Sequence, residues 1–267
     1  LASEGLGKSM EKLASGLRIN SAADDAAGMG LSLRMTGQIR SLGQASRNTM
    51  DGISLIQVAE GAYNEIGNIL VRLRELAIQA ANGTLSLADR QTLQVAADRL
   101  IREVSGIANS TQFNGVVLLN NAAGNTVVLQ VGIGTVGYTV SATDQIAVTL
   151  YSLIASSFTS SASDISTLAI TSASNALVAL STLDTVITNL NSSRASLGAA
   201  QNGLESRSRN LTITIENLSA ARSRILDVDV AQETSEMVRN QILVQAGTSV
   251  LAQANQLPSL ALTLLGG

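Results

Sequence analysis

From Ala26 to Ala81 apolar residues recur at helical spacing: Leu31, Met35, Ile39, Leu42, Ile53, Ile56, Tyr63, Ile66, Leu70, Leu73 and Ala77 are separated by threes, fours or their sums. No other feature limits the fold as much. At about 1.5 Å per residue such a helix reaches roughly 84 Å, far longer than a helix in an ordinary compact domain. The only proline is Pro258, so nothing earlier in the chain breaks a helix of that length. Ser21 with Asp24 three residues on reads as a capping box at its start, and Asp25 suits the positive helix end. Asn82-Gly83 reads as its stop.

A second helix fits Ser86 to Ala108, where Leu87, Leu93, Ala97, Leu100, Ile101, Val104 and Ile107 oppose Asp89, Arg90, Arg99 and Glu103. The short turn after Gly83 folds it back on the first. Between Val116 and Leu150 the pattern changes to β-branched runs, 127–131, 138–140 and 146–150, punctuated by Gly132, Gly134, Gly137 and Asp144. These predict an antiparallel hairpin or a three-stranded patch. Residues 152–174 are rich in Ser, Thr and Ala and fit a surface loop or a helix start, with the helix expected to begin by Asp164. From Leu168 to Val228, Leu177, Leu183, Leu190, Leu197, Leu204 and Leu211 then keep near-heptad spacing. Two rods of similar reach joined through a compact hairpin predict antiparallel pairing.

After Asp227-Val-Asp229 a last helix is expected from about Ala231 to Leu257, with Val238, Ile242, Ala246, Val250, Leu251 and Ala254 on its apolar side. The opening stripe, Leu6, Met10, Leu13 and Leu17, is shorter. Neither buries its face alone, so they are expected to pair with each other and with other subunits. Leu1 is not an initiator Met, and the shorter first stripe is read as part of a longer N-terminal helix. The predicted class is mainly α: an elongated bundle of long antiparallel helices with a small β-hairpin region, plus paired terminal coiled-coil helices.

Composition narrows function. Without histidine or cysteine the chain lacks the usual proton shuttle and transition-metal ligand, and every thiol nucleophile. An enzyme is the least expected class, with no cofactor. A net charge of −3 with both signs interspersed argues against nucleic acid as a partner. No run of 18 apolar residues predicts membrane insertion, and no short apolar stretch behind basic residues resembles a cleavable signal. A mean hydropathy of +0.26 with so few aromatics fits either an Ala-rich bundle core or helix faces buried against further copies. Asp24-Asp25 and Asp227-x-Asp229 supply too few oxygens for a cation cage, so capping or joining of helices is expected of them. Asn82-Gly83-Thr84 and Asn210-Leu211-Thr212 match the N-glycosylation pattern, the second inside a predicted helix.

Several segments carry a family resemblance. Residues 15–28, SGLRINSAADDAAG, are similar to the point where the terminal helix of bacterial flagellins passes into the first long core helix. The 51–66 stretch, with DGISLIQ, AEGA and NEI, resembles the middle of that helix; RLRELA at 72–77, AANG at 80–83 and QFNG at 112–115 follow in family order. At the other end RASLG at 194–198, ENLSAARSRI at 216–225 and QAGTSVLAQANQ at 245–256 resemble the C-terminal core. Only about 120–173 stays unmatched, too short for the outer domains that flagellins carry there.

The resemblance implies a short flagellin that polymerises into the flagellar filament used for motility. A filament-junction protein or a flagellin-like surface adhesin is the alternative. It implies an inner core from residues 1–17 and 230–267, and an outer-layer helical domain at 18–229 with the β-hairpin region at 116–150. Arg72, Arg74, Glu75, Leu76, Asp24, Asp25, Ile242, Val250 and Leu251 are the subunit-interface candidates. Ser156, Ser157, Thr159, Ser160 and Ser161 are candidates for O-linked glycans. Implied partners are further copies of the chain, an export chaperone, and filament cap and junction proteins. The Toll-like flagellin receptor of animals reads the surface that Arg72–Leu76 resembles; Ala96 stands where receptor-activating members have a glutamate, which weakens that expectation. The location implied is a secreted flagellar filament, extracellular in the first reading, with a sheathed or periplasmic filament as the alternatives.

Overall fold

The computed structural model describes residues 2–120, 125–136, 139–140, 144–152 and 165–265. Five helices dominate: α1 (Ala2–Ser15), α2 (Ala26–Ala81), α3 (Leu87–Ser110), α4 (Ala173–Leu226) and α5 (Val230–Leu265). Between α3 and α4 lie β1 (Gln112–Phe113), β2 (Val116–Val117), β3 (Asn125–Gln130), β4 (Thr135–Val136), β5 (Thr139–Val140) and β6 (Gln145–Leu150). The chain forms two compact units, residues 1–41 with 213–267, and residues 42–212.

In the central unit the helices carry heptad seams. Ile56, Ala59, Tyr63, Ile66, Leu70, Leu73, Ala77 and Ala80 of α2 alternate by three and four, and all are buried. On α4, Ala176, Leu183, Leu190, Leu197, Leu204 and Leu211 recur every seventh residue, also buried. This is the 3.5-residue period that keeps one stripe facing a partner helix. Contacts run antiparallel: Gly52 lies near Leu204, Gly67 near Leu190, and Arg74 binds Asp184. The expected pairing of the two rods is found.

The strands make two-stranded antiparallel ladders rather than one three-stranded patch. β3 pairs with β6 from Asn125↔Leu150 to Gln130↔Gln145, and β4 pairs with β5 within the intervening loop. A separate hairpin, β1–β2, turns at Asn114-Gly115, whose φ angles of 49° and 79° are what a tight primed turn requires. Val131, Val148 and Leu150 point into the helical core.

Leu129 of β3 reaches α2 so closely that a Cβ on Gly52 would run into its Cδ1 and come within 3.4 Å of Leu204 Cδ1. Gly52→Ala therefore sets overpacking of about 1–3 kcal/mol against a helix-propensity gain of about 1 kcal/mol. Net destabilisation in denaturant unfolding is expected, with a favourable coupling to Leu129→Ala in the double variant.

Three boundaries differ from expectation. The cap of α2 is Asp25, not Ser21: Asp25 Oδ1 accepts the Gly28 N–H at 2.9 Å and its carbonyl accepts from Met29. α4 starts at Ala173, not by Asp164, because residues 165–170 bury Ile165, Leu168 and Ile170 in non-helical chain. The Gln94 side chain holds them there, donating to Leu168 O at 2.9 Å and accepting from Ile170 N at 2.6 Å. α5 runs on past Pro258 to Leu265. Proline forfeits one backbone donor, and the Leu/Ala-rich sequence on both sides keeps the helix.

Candidate functional site

A chain expected to polymerise binds through a surface, and α5 carries several of the exposed large apolar residues. In the terminal unit α1 packs on α5. Gly5 abuts Asn240, and Lys12 Nζ lies 3.6 Å from Glu233, which fixes an antiparallel register. In that register Ala2 lies opposite residue 243. Ile242, Val250 and Leu251 are 61, 62 and 64% exposed, and residues 245–255 are exposed on every face.

The charged candidates on α2 separate. Arg72 and Glu75 are exposed and bind each other across one helical turn. Arg74 Nε donates to Asp184 on α4 at 2.7 Å rather than to the charges of α3. Arg90 instead donates to the carbonyls of Ala80 and Asn82, both at 2.9 Å, closing the end of α2. Leu76, grouped with this surface by its sequence neighbours, is 7% exposed and belongs to the core. Ala96 of α3 is half-buried against that core.

Asp24 and Asp25 organise the turn ahead of α2. The Asp24 Oδ2 accepts from Ser21 N at 2.9 Å, Asn20 N at 3.1 Å and Ser21 Oγ at 3.2 Å. These bonds, the Ser21 amide foremost, hold the Asp24 carboxyl below the ordinary carboxylate range. The hydroxyl and amide of Ser86 do the same to Asp89 at the start of α3, in a true capping box. Both groups favour ionisation in the folded chain. Their contribution is present above the unfolded value of about 3.9 and is lost as pH falls through the lower folded one. Carboxyl NMR titration should place both midpoints below that value; a midpoint at or above it for Asp24 would remove its amides from the account.

The chain folds back on itself where α1 ends and α4 gives way to α5. Gly16 takes φ 72°, Arg18 N donates to Leu226 O at 2.7 Å, and Val228 N donates to Gly16 O at 3.1 Å. Asp229 Oδ1 accepts from Ala231 N and Gln232 N at 3.0 and 3.2 Å, capping α5.

Sequence reasoning missed the polar lock of the hairpin region. Arg207 Nη2 on α4 donates to Asp144 Oδ1 at 2.7 Å, and its Nε donates to Val131 O at 3.2 Å. Gly132 is required there, since a Cβ would strike the Asp144 carboxylate and lie 2.7 Å from Arg207 Nη2. The glycan candidates Ser156, Ser157, Thr159, Ser160 and Ser161 lie outside the described residues.

Comparison with known proteins bears on this surface. Residues 2–124 match the bacterial flagellin N-terminal helical region, and residues 180–265 match the bacterial flagellin C-terminal helical region. The chain is similar to a flagellin of Halalkalibacterium halodurans, 46% identical over 258 residues, or 97% of this chain and 91% of the relative. A Bacillus subtilis flagellin is 44% identical over 286 residues, with 97% and 92% coverage. Among solved structures, Bacillus cereus flagellin superposes with a TM-score of 0.50 and 31% identity, covering 66% of this chain and 94% of that one.

Proposed function

This chain belongs to the bacterial flagellin family, a family of structural flagellar proteins, and from that premise we propose how its surfaces build the filament. It is a structural subunit of the flagellar filament and polymerises with itself. Similarity to filament subunits along 97% of the chain favours this over a junction protein or an adhesin.

In our reading residues 1–17 and 230–267 pack with their counterparts in other copies as the inner core, and 18–229 form the outer layer. The observation that supports this is the bare apolar surface of α5. A helical stretch exposed on all sides over residues 245–255, with Val250 and Leu251 in water, is not stable by itself, so its stability comes from neighbours. Growth needs a heterologous contact that does not close, so that each added copy re-creates the surface it used. Asp24 and Asp25 set the chain direction into α2. Arg72, Arg74 and Glu75 lie along the outer-layer contact, while Leu76 supports that face from behind. No catalytic step is assigned.

Salt-induced polymerisation followed by electron microscopy tests the reading, with long helical filaments expected and capped or monomeric particles opposing it. Folding of α5 on incorporation is part of the proposal. Amide exchange in residues 235–255 should be fast in the monomer and slow in the filament; full protection in the monomer would refute it. Arg72→Ala should leave monomer stability within about 1 kcal/mol, because an exposed pair contributes little, yet weaken polymerisation. Unchanged filament growth would reduce Arg72 to a solvated charge.

An export chaperone and cap and junction proteins complete the proposed partner set. Ala96 predicts weak activation of the animal Toll-like receptor, which a reporter-cell assay measures. An external filament is the proposed location, and antibody labelling of intact cells separates it from a sheathed or periplasmic one.

A further inference from the structure

The sequence contains three Asn-Gly pairs, at 82–83, 114–115 and 202–203, which the fold places in three different backbone settings. We propose that Asn82 is a built site of spontaneous deamidation, at which the Gly83 nitrogen attacks the Asn82 side chain. The structure supplies both forms of activation that this ring closure needs. Thr84 N donates to Asn82 Oδ1 at 3.2 Å, which turns the side-chain carbonyl back along the chain toward Gly83 and polarises its carbon. Arg90 Nη2 donates to the Asn82 backbone oxygen at 2.9 Å. That oxygen belongs to the peptide whose nitrogen is the nucleophile. A cation there stabilises the amidate formed when the Gly83 N–H is lost, as a neighbouring positive charge favours any anionic form.

The chemistry balances with water as the only co-reactant. The Gly83 nitrogen loses its proton to hydroxide and bonds to Asn82 Cγ, and the developing oxyanion on Oδ1 faces the Thr84 N–H. The Cγ–Nδ2 bond then breaks, and ammonia leaves with a proton from water. The resulting succinimide is hydrolysed by one water at either carbonyl, giving aspartate or isoaspartate. Each event adds one negative charge beside Arg90, and the isoaspartate branch lengthens the α2–α3 connection by one methylene.

The other two pairs are held away from this reaction. Asn202 and Gly203 lie inside α4, where the Gly203 N–H is committed to the helix ladder. Asn114 and Gly115 are pinned at φ 49° and 79° by the pairing of β1 with β2. Asn82 and Gly83 sit in an exposed corner between two helices.

The test is peptide mapping by mass spectrometry of the full chain after incubation at mildly alkaline pH, with isomer separation. Asn82 should deamidate first, yielding both isomers; a rate at Asn82 no greater than at Asn114 or Asn202 would overturn the proposal. Gly83→Ala meets no neighbour within 4 Å, so it folds, and it should abolish the Asn82 product by crowding the nucleophile. Aspartate alone, without isoaspartate, would replace ring closure by direct hydrolysis and overturn the mechanism. Arg90→Gln should slow the reaction roughly tenfold, the rate equivalent of a charge-assisted hydrogen bond. A faster reaction in that variant would show Arg90 to be only a clamp and refute its activating part.

Discussion

Replacing Ile242 and Leu251 with aspartate is expected to abolish filament growth while leaving the unfolding of residues 42–212 unchanged. Both side chains are more than half exposed in the monomer, so removing them costs the isolated chain little. Burial of each aliphatic side chain in a neighbour contributes about 1.5–3 kcal/mol, and aspartate adds the cost of dehydrating a charge. Even at the lower figure the two changes together raise the critical concentration by a factor on the order of a hundred. In a heterologous lattice each copy presents the same altered face to its neighbour, so every contact along the filament carries the change. Sedimentation across a concentration series and electron microscopy read the outcome. Filaments at the wild-type threshold would move the essential contact off α5. A loss of stability in the 42–212 unit would show that the residues act within the monomer instead.

The long helices were legible because their signals are local and repeated. Period and stop agreed over α2, and its Asn82-Gly83 end lies where the chain leaves the helix. The heptads from Leu183 to Leu211 likewise mark a seam that is buried along its length. Long-range polar contacts left no such trace. Gln94 holds the chain ahead of α4 across 74 and 76 residues, and Arg207 meets Asp144 across 63. Nothing near either side chain in sequence announces the partner. The β1–β2 hairpin did have a local signal, Asn-Gly between short β-forming pairs, and its neighbours' helical pattern obscured it. The apolar side of α5, longer than the stripe of α1, marked a helix needing neighbours, whereas Leu76 and Arg72, four residues apart, could be sorted into core and surface only by the fold. Tyr63 shows the same limit: its helical spacing marked it as a core residue, but not that its hydroxyl binds a peptide group 88 residues away.

Tyr63→Ala should remove a large share of the stability of the central unit, and Tyr63→Phe should weaken it measurably. The ring is fully buried on the α2 seam, and truncating a buried aromatic costs about 3–5 kcal/mol. That is a large share of the roughly 5–15 kcal/mol that holds a typical domain folded. The hydroxyl has a separate role. It donates to Tyr151 O and accepts from Tyr151 N, both at 3.2 Å, tying α2 to the chain just beyond β6. Phenylalanine keeps the volume and leaves both peptide groups without that partner, a loss of about 1–3 kcal/mol if water does not replace it. The two variants thus separate packing from hydrogen bonding. Alkaline titration adds an independent readout, because burial pushes the Tyr63 phenol up to about 12. The folded chain then holds this proton where the unfolded chain, titrating near 10, releases it. The contribution is complete below pH of about 10 and declines as pH rises toward the folded value. Tyr63→Phe should remove that alkaline decline from the stability curve. The highest tyrosinate midpoint in the absorbance titration should vanish with it. If the midpoint persisted, the buried phenol would have to be a different tyrosine.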